Sequence, residues 1–250
     1  MDIVTINDAV KADQFFNLFV KNTPFLDVRS EGEFTKGSIP NSFNYPILNN
    51  SERHQIGTCY KRKGKQMAVE LGYQLVSGVV KQKRIQDWCD LASLEPNLHV
   101  LCWRGGLRSG IAQQWIREAG FQLPVIEGGY KALRRYLLQA IAQAANHFSF
   151  IRIGGKTGVA KTLLINEIKS SIDLEKHAKH RGSSFGRTIN LQPTQSNFEH
   201  SLAADLLRIM HMENSKILFV EDESRKASKA INVAFGSKKK FNLAFMHIPF

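Results

Sequence analysis

No run in this chain approaches the ~18 consecutive apolar residues of a membrane-spanning helix, so no membrane span is expected. The opening residues, Met1-Asp2-Ile3-Val4-Thr5, do not place a basic segment before an apolar one, and no secretory signal is read there. Cysteine is scarce. Cys59, Cys89 and Cys102 are three, an odd number at irregular spacing. That argues against a disulfide scaffold or a zinc site and for a reducing cytoplasm. Acidic residues are also short: 22 aspartates and glutamates stand against 34 lysines and arginines, a formal net charge of +12 with a pI of about 9.7. Such an imbalance bears on partners rather than on fold. A polyanion such as RNA or DNA fits. An anionic membrane surface fits less well, because no basic amphipathic helix stands out. With 250 residues, 43% of them hydrophobic, the chain can build a real core in one large domain or two small ones.

The stretch that organises the rest is Leu98-His99-Val100-Leu101-Cys102-Trp103-Arg104-Gly105-Gly106-Leu107-Arg108-Ser109. An apolar run ends on a cysteine, two glycines follow, and Ile111, Ala112, Trp115 and Ile116 recur at helical spacing. This predicts strand, tight loop and helix. A loop of that kind aims backbone N–H groups inward, and the start of the next helix adds partial positive charge. Arg104 and Arg108 bracket Gly105 and Gly106. A thiol in that setting favours its thiolate form, and the loop suits an anion built on it. Cys102 is therefore the candidate nucleophile or group carrier, and Arg104, Gly105, Gly106 and Arg108 the candidate anion-binding residues.

The segment from Cys102 to Ser109 resembles the active-site loop of rhodanese domains, which carry sulfur or selenium on cysteine. Its Cys-Trp-Arg-Gly-Gly-Leu-Arg-Ser form resembles one branch in particular, the tRNA 2-selenouridine synthases, which join a rhodanese domain to a P-loop domain. The residues before it agree. Asp8 is read as the cap of a helix carrying Val10, Phe15, Phe16, Leu18 and Phe19. Phe25-Leu26-Asp27-Val28-Arg29 reads as a buried strand, 31–34 as a helical turn, and Phe43-Asn44-Tyr45 as a further strand. This resembles the rhodanese opening, with Ser38 in place of its histidine and Asn41-Ser42 in place of Gly-Ala. Asp27 and Arg29 are expected to satisfy loop N–H groups or each other.

Residues 49–72 read as an insertion with a basic loop. Tyr60, Lys61, Arg62, Lys63 and Lys65 suit phosphate contact beside a stacking ring. The synthase family carries a segment similar to Gly57-Thr58-Cys59-Tyr60-Lys61. Helices are expected over 82–94, 109–119 and 131–144, with a strand at 124–127. Strands alternating with helices imply a parallel sheet covered on both faces. Ligands bind beyond the carboxyl ends of such strands, where Cys102 falls.

A second strand begins at Phe148-Ser149-Phe150-Ile151-Arg152-Ile153, followed by Gly154-Gly155-Lys156-Thr157-Gly158-Val159-Ala160-Lys161-Thr162. A P-loop takes Gly, four residues, Gly, Lys, then Ser or Thr. Gly155, Lys161 and Thr162 meet that pattern, but Ala160 occupies the second glycine position. Gly155, Gly158, Lys161 and Thr162 are the candidate phosphate-binding residues. His177 and His180 stand three apart, either as metal ligands or as one basic face with Lys179 and Arg181. Lys216-Ile217-Leu218-Phe219-Val220-Glu221-Asp222-Glu223 is an apolar strand ending in acids. Asp222 or Glu223 is the candidate ligand of a Mg²⁺ ion. After Arg225 no family pattern is recognised, and the expectation is a truncated P-loop domain with an atypical tail from about 226.

The reading is α/β: a rhodanese-like parallel-sheet domain over 1–146, then an incomplete P-loop α/β domain over 147–250. By resemblance, the family replaces sulfur with selenium in 2-thiouridine at the tRNA wobble position. Selenophosphate is the donor, and a geranylated thiouridine made from geranyl diphosphate is the intermediate. The implied partners are tRNA and these two phosphate-bearing substrates, with no membrane. The alternatives are a stand-alone rhodanese-type sulfurtransferase and an inactive RNA-binding remnant.

Overall fold

The computed structural model describes residues 6, 8–154, 161–178, 192–212, 216–221 and 243–247. The chain forms two compact units, Met1–Arg134 and Arg135–Phe250. The division falls inside one helix, Gly129–His147. Among the described residues no helix is long and apolar enough to cross a membrane.

The first unit holds five short parallel strands: β1 (Ala9–Val10), β2 (Phe25–Asp27), β3 (Ser42–Asn44), β4 (His99–Leu101) and β5 (Val125–Ile126). Their order is β1-β5-β4-β2-β3, which places β4 and β2 in the interior. Leu26, Val100, Leu101, Val125 and Ile126 are fully buried, as expected of a parallel sheet covered on both faces. Around the sheet lie α1 (Phe15–Val20), α2 (Glu31–Lys36), α3 (Asn50–Leu75), α4 (Gly78–Leu94), α5 (Leu107–Glu118) and the start of α6 (Gly129–His147). Trp88 of α4 and Trp115 of α5 stack with centroids 6.3 Å apart. The Trp88 indole N–H donates to the Tyr45 carbonyl at 2.9 Å, so this large ring is buried with its polar atom satisfied.

Two local expectations are corrected. Asp8 does not cap a helix through Val10. Its backbone has φ 55°, and its carbonyl accepts from Val125 N–H, so the chain enters the edge strand β1, with Val10 opposite Ile126. Helical structure starts later, with a 3-10 turn at Ala12–Gln14 leading into α1. The basic insertion is not a loop but the long helix α3. Asn49 caps it by accepting from Glu52 N–H, and Glu52 accepts in return from Asn49 N–H. The helix breaks at Gly64 (φ 83°, ψ −178°), a conformation that glycine alone adopts readily.

Among the described residues the second unit holds a four-stranded parallel sheet in the order β7-β8-β6-β9. The strands are β6 (Ser149–Gly154), β7 (Ser171–Ile172), β8 (Ile217–Glu221) and β9 (Leu243–His247). Helices α7 (Lys161–Glu167), α8 (Leu174–Ala178) and α9 (Gln195–Met212) accompany them. Phe198, Leu202, Leu206 and Ile209 recur every three or four residues on the buried side of α9. The tail, in which the sequence showed no recognised pattern, supplies β9. It pairs with β6 from Phe150 opposite Leu243 to Gly154 opposite His247.

Candidate active site

Cys102 follows the last residue of β4, at the carboxyl end of an interior strand of the first sheet. It is 3% exposed. Its Sγ donates to Ser109 Oγ at 3.3 Å, and Ser109 Oγ donates to the Gly106 carbonyl at 3.0 Å. A neutral thiol is thus satisfied by the serine. A thiolate would instead accept from the same hydroxyl, if that proton turned away from Gly106.

The loop is held from behind by the turn that starts α6. Tyr130 N–H donates to the Cys102 carbonyl at 2.8 Å, and Lys131 N–H to the Trp103 carbonyl at 3.1 Å. Contact is close enough to dictate glycine on both sides. A Cβ at Gly129 (φ 56°) would sit 2.3 Å from Cys102 O, and one at Gly105 (φ 59°) would sit 2.4 Å from Ile126 O. Gly106 has open space around its Cβ position, so it is not required by crowding.

The two arginines differ. Arg104 is exposed. Arg108 is turned toward α2, where its guanidinium donates to Glu33 at 2.7 and 3.3 Å. Burial works against the Arg108 charge, but Glu33, with smaller contributions from the Cys102 and Asp27 charges, holds its pKa above the ordinary value. Arg53 of α3 also reaches Glu33, at 3.0 Å. Burial alone would raise the Glu33 carboxyl, but the hydrogen bond and charge of Arg108, helped by Arg53, outweigh it and lower the pKa to about 2. The sequence does not mark Glu33 as a site residue. Its capping-box spacing to Ser30 is legible, but its partners lie 20 and 75 residues away along the chain.

Beneath the loop, Arg29 donates through Nε to both Asp27 oxygens at 2.9 Å and through Nη2 to the Gly37 carbonyl at 2.8 Å. Both residues of this pair are fully buried. Burial raises the Asp27 carboxyl, while the Arg29 fork pulls the other way. The same guanidinium lies 3.9 Å from the Tyr130 ring centroid and 5.8 Å from that of Trp103.

A groove of about 800 Å³ runs between the two arms of α3 and the start of α5. Ile47, Ile56, Val69, Val76, Ile111 and Trp115 give it apolar walls, and Arg53, Lys61, Lys65 and Arg108 supply cationic lining, with His54 among them. Tyr60, Lys61, Arg62 and Lys63 are all exposed on α3 just before its break at Gly64. Cys59 is half-buried on the same helix, and Cys89 is buried in α4.

In the second unit, Gly155, Gly158, Ala160, Asp222 and Glu223 lie outside the described residues, as do Lys179, His180 and Arg181. Lys161 and Thr162 open α7. His177 is turned into the unit: Nδ1 lies 2.9 Å from Ser201 Oγ and Nε2 3.2 Å from Asp205 Oδ2. Both ring nitrogens are engaged by α9. Among the described residues no group of three or more His, Cys, Asp or Glu side chains gathers to hold a metal.

Comparison with known proteins follows the same division. Residues 12–135 match the rhodanese-like domain, and residues 148–233 match the tRNA 2-selenouridine synthase AAA domain. A tRNA 2-selenouridine synthase of Marinobacter nauticus is 45% identical over 213 residues, covering 85% of this chain and 58% of the relative. That of Pseudomonas fluorescens is 46% identical over 208 residues, covering 83% and 57%. That of Shewanella sediminis is 46% identical over 216 residues, covering 86% and 58%. The chain thus spans less than two thirds of the length of these relatives. With both domain matches in order along one chain, and this identity running through them, the chain belongs to the tRNA 2-selenouridine synthase family.

Proposed function

We propose that this chain is a cytoplasmic transferase that exchanges sulfur for selenium in 2-thiouridine at the wobble position of tRNA. Selenophosphate supplies the selenium, and geranyl diphosphate supplies the chain of an S-geranylated intermediate. The observation that carries the reading is the Cys102 loop, a sulfur nucleophile at a strand end, pinned by the Gly128-Gly129-Tyr130 turn and flanked by Arg104 and Arg108. Geranylation forms a C–S bond at the base sulfur and breaks the C–O bond of geranyl diphosphate, releasing diphosphate. Exchange then breaks the base C–S bond and the P–Se bond of selenophosphate, makes the C–Se bond, and leaves the phosphoryl group to water as phosphate. Alkylating the sulfur first lets it leave as a neutral thiol after a proton is taken up, a better leaving group than sulfide.

Residues of both units support these roles. Cys102 acts as the nucleophile, its thiolate adding to the carbon that bears the alkylated sulfur as the geranyl thiol leaves, and selenide released from selenophosphate then displacing Cys102 from that carbon. Arg104 and the loop amides face an anionic donor, and Arg108 adds a fixed positive charge whose direction Glu33 sets. The apolar walls of the groove along α3 and α5 suit the geranyl group once it is carried on the tRNA base, and its cationic lining suits a tRNA phosphate. The exposed cations of α3 suit the tRNA backbone. The P-loop segment, by its Gly155, Gly158, Lys161 and Thr162, would take the diphosphate, and Asp222 or Glu223 would hold Mg²⁺.

The test is incubation with thiolated tRNA, selenophosphate and geranyl diphosphate, followed by nucleoside mass spectrometry. Selenated nucleoside should form and should depend on Cys102. Transfer of sulfur from thiosulfate with no change to tRNA would replace this reading with a stand-alone sulfurtransferase. Salt-sensitive RNA binding with no product would replace it with a binding protein.

A further inference from the structure

Trp103, the residue next to Cys102, is 37% exposed, whereas Trp88 and Trp115 are 0% and 5% exposed. A large ring left in solvent beside a buried nucleophile is not explained by core packing. Nor is it loose. Tyr130 stacks on it with centroids 5.2 Å apart and planes at 30°, and Arg29 sits against both rings. The Trp103 carbonyl is tied to Lys131 N–H, and its neighbours Cys102 and Gly105 are locked against the same turn. Arg29 is fixed in turn by Asp27 and the Gly37 carbonyl. The ring is therefore backed on its inner side by a buried, rigid stack and open on the rest, with the exposed Arg104 beside it.

We propose that Trp103 is the stacking platform for the nucleobase that reacts at Cys102, with Arg104 contacting the adjoining phosphate. This rests on the reading that a tRNA base is the substrate. A base in a stacked loop must leave its neighbours to reach a recessed sulfur, and an aromatic face beside the nucleophile replaces the stacking it gives up. The pre-stacked ring loses little freedom on binding, so most of that contact appears as affinity. Trp103 is a substrate-positioning residue in this scheme, and the chemistry stays with Cys102.

The experiment compares two anticodon stem-loops, one with 2-thiouridine at the reacting position and one abasic there, against the full chain and its Trp103→Ala and Trp103→Phe variants. The wild type should bind the thiouridine loop more tightly than the abasic one. Trp103→Ala should lose on the order of tenfold on the thiouridine loop and almost nothing on the abasic loop, and Trp103→Phe should recover most of the loss. In parallel, the thiouridine loop should quench the wild-type tryptophan fluorescence, and Trp103→Phe should remove that quenching because the two remaining tryptophans are buried. Equal losses on both loops would make Trp103 a structural prop for Tyr130 and Arg29, overturning the proposal while leaving the tRNA reading intact. Wild-type binding indifferent to the base would overturn both.

Discussion

The guanidinium of Arg108 meets the carboxylate of Glu33 at 2.7 Å across 75 residues of sequence. The same carboxylate accepts from Ser30 N–H at the start of α2 and pairs with Arg53 of α3. One side chain thus joins the helix after β2, the inserted helix and the helix that follows the cysteine loop.

This junction predicts a pH signature. Glu33 titrates near 2 in the folded protein and has an ordinary value of 4.5. A carboxylate whose folded pKa is depressed stabilises fully above its unfolded pKa and loses that contribution as pH falls through the folded one. Glu33→Gln should therefore lower the urea midpoint at neutral pH, and the gap to wild type should close between about 4.5 and about 2. A gap that stays constant across that window would mean the carboxylate charge contributes nothing.

The glycine contacts separate crowding from backbone strain. Gly129 and Gly78 have nearly the same φ, 56° and 51°, but a Cβ at Gly129 meets Cys102 O at 2.3 Å, while one at Gly78 meets nothing within 4 Å. Gly78→Ala should cost about 1–2 kcal/mol, the ordinary penalty of a left-handed alanine. Gly129→Ala should cost more and should also depress selenium transfer, since Cys102 and its loop must shift. Equal stability losses and unchanged activity in both variants would show that the turn does not position the cysteine.

Cysteine reactivity gives a third check. Cys102→Ser should abolish selenium transfer with the fold retained. Cys89→Ser and Cys59→Ser should cost much less. Burial, aided by the nearby Asp90 charge, raises the Cys89 thiol above its ordinary value, so Cys89 should also be the slower thiol toward iodoacetamide near neutral pH. Selenium transfer surviving in Cys102→Ser would remove the assignment.

The parts of this molecule that are legible in sequence are those encoded locally. Leu98 to Ser109 announces strand, loop and helix through a run of apolar residues, two glycines and a 3.6-residue period, and the structure places β4 and α5 there. What is not legible depends on neighbours distant in sequence. Val10 carries the same apolar signal in a helix or a strand, and only β5, more than a hundred residues later, decides between them. The basic stretch around Lys61 has no clear apolar period, so it reads as a loop; its helix starts at the Asn49–Glu52 cap and is tied to α4 by the Arg84–Glu52 ion pair. Gly105 and Gly129 look like generic loop glycines until the turn and the cysteine loop are brought together. The tail offers five strand residues with no motif, and parallel pairing to β6 defines them.

The exposed cations on α3 predict a salt-dependent interaction. Reversing Lys61, Arg62 and Lys63 to glutamate should weaken tRNA binding and flatten its dependence on salt. The slope should fall by about 0.7–0.9 for each phosphate that the helix no longer neutralises. The residues are exposed, so melting temperature should change little. An unchanged affinity and slope would make this helix a solvated surface.

Strand β9, which ends the sheet among the described residues, supplies the last prediction. It flanks β6 on one side only, since the sheet order ends β8-β6-β9. Backbone N–H groups alternate sides along a strand, so of two neighbouring residues, Ala244 and Phe245, one points its N–H at β6 and the other points away from the sheet. Proline removes that N–H, which an edge strand tolerates only on its outer side. Of the pair Ala244→Pro and Phe245→Pro, one should therefore loosen the second unit while the other leaves it nearly intact. Hydrogen exchange along β6, which pairs with both neighbours from Phe150 to Ile153, reads the difference directly. The damaging substitution should speed exchange in β6 and leave β4 of the first unit protected. If both prolines are tolerated, β9 does not hold the sheet edge, and the second unit owes its order to β6, β7, β8 and α9 alone.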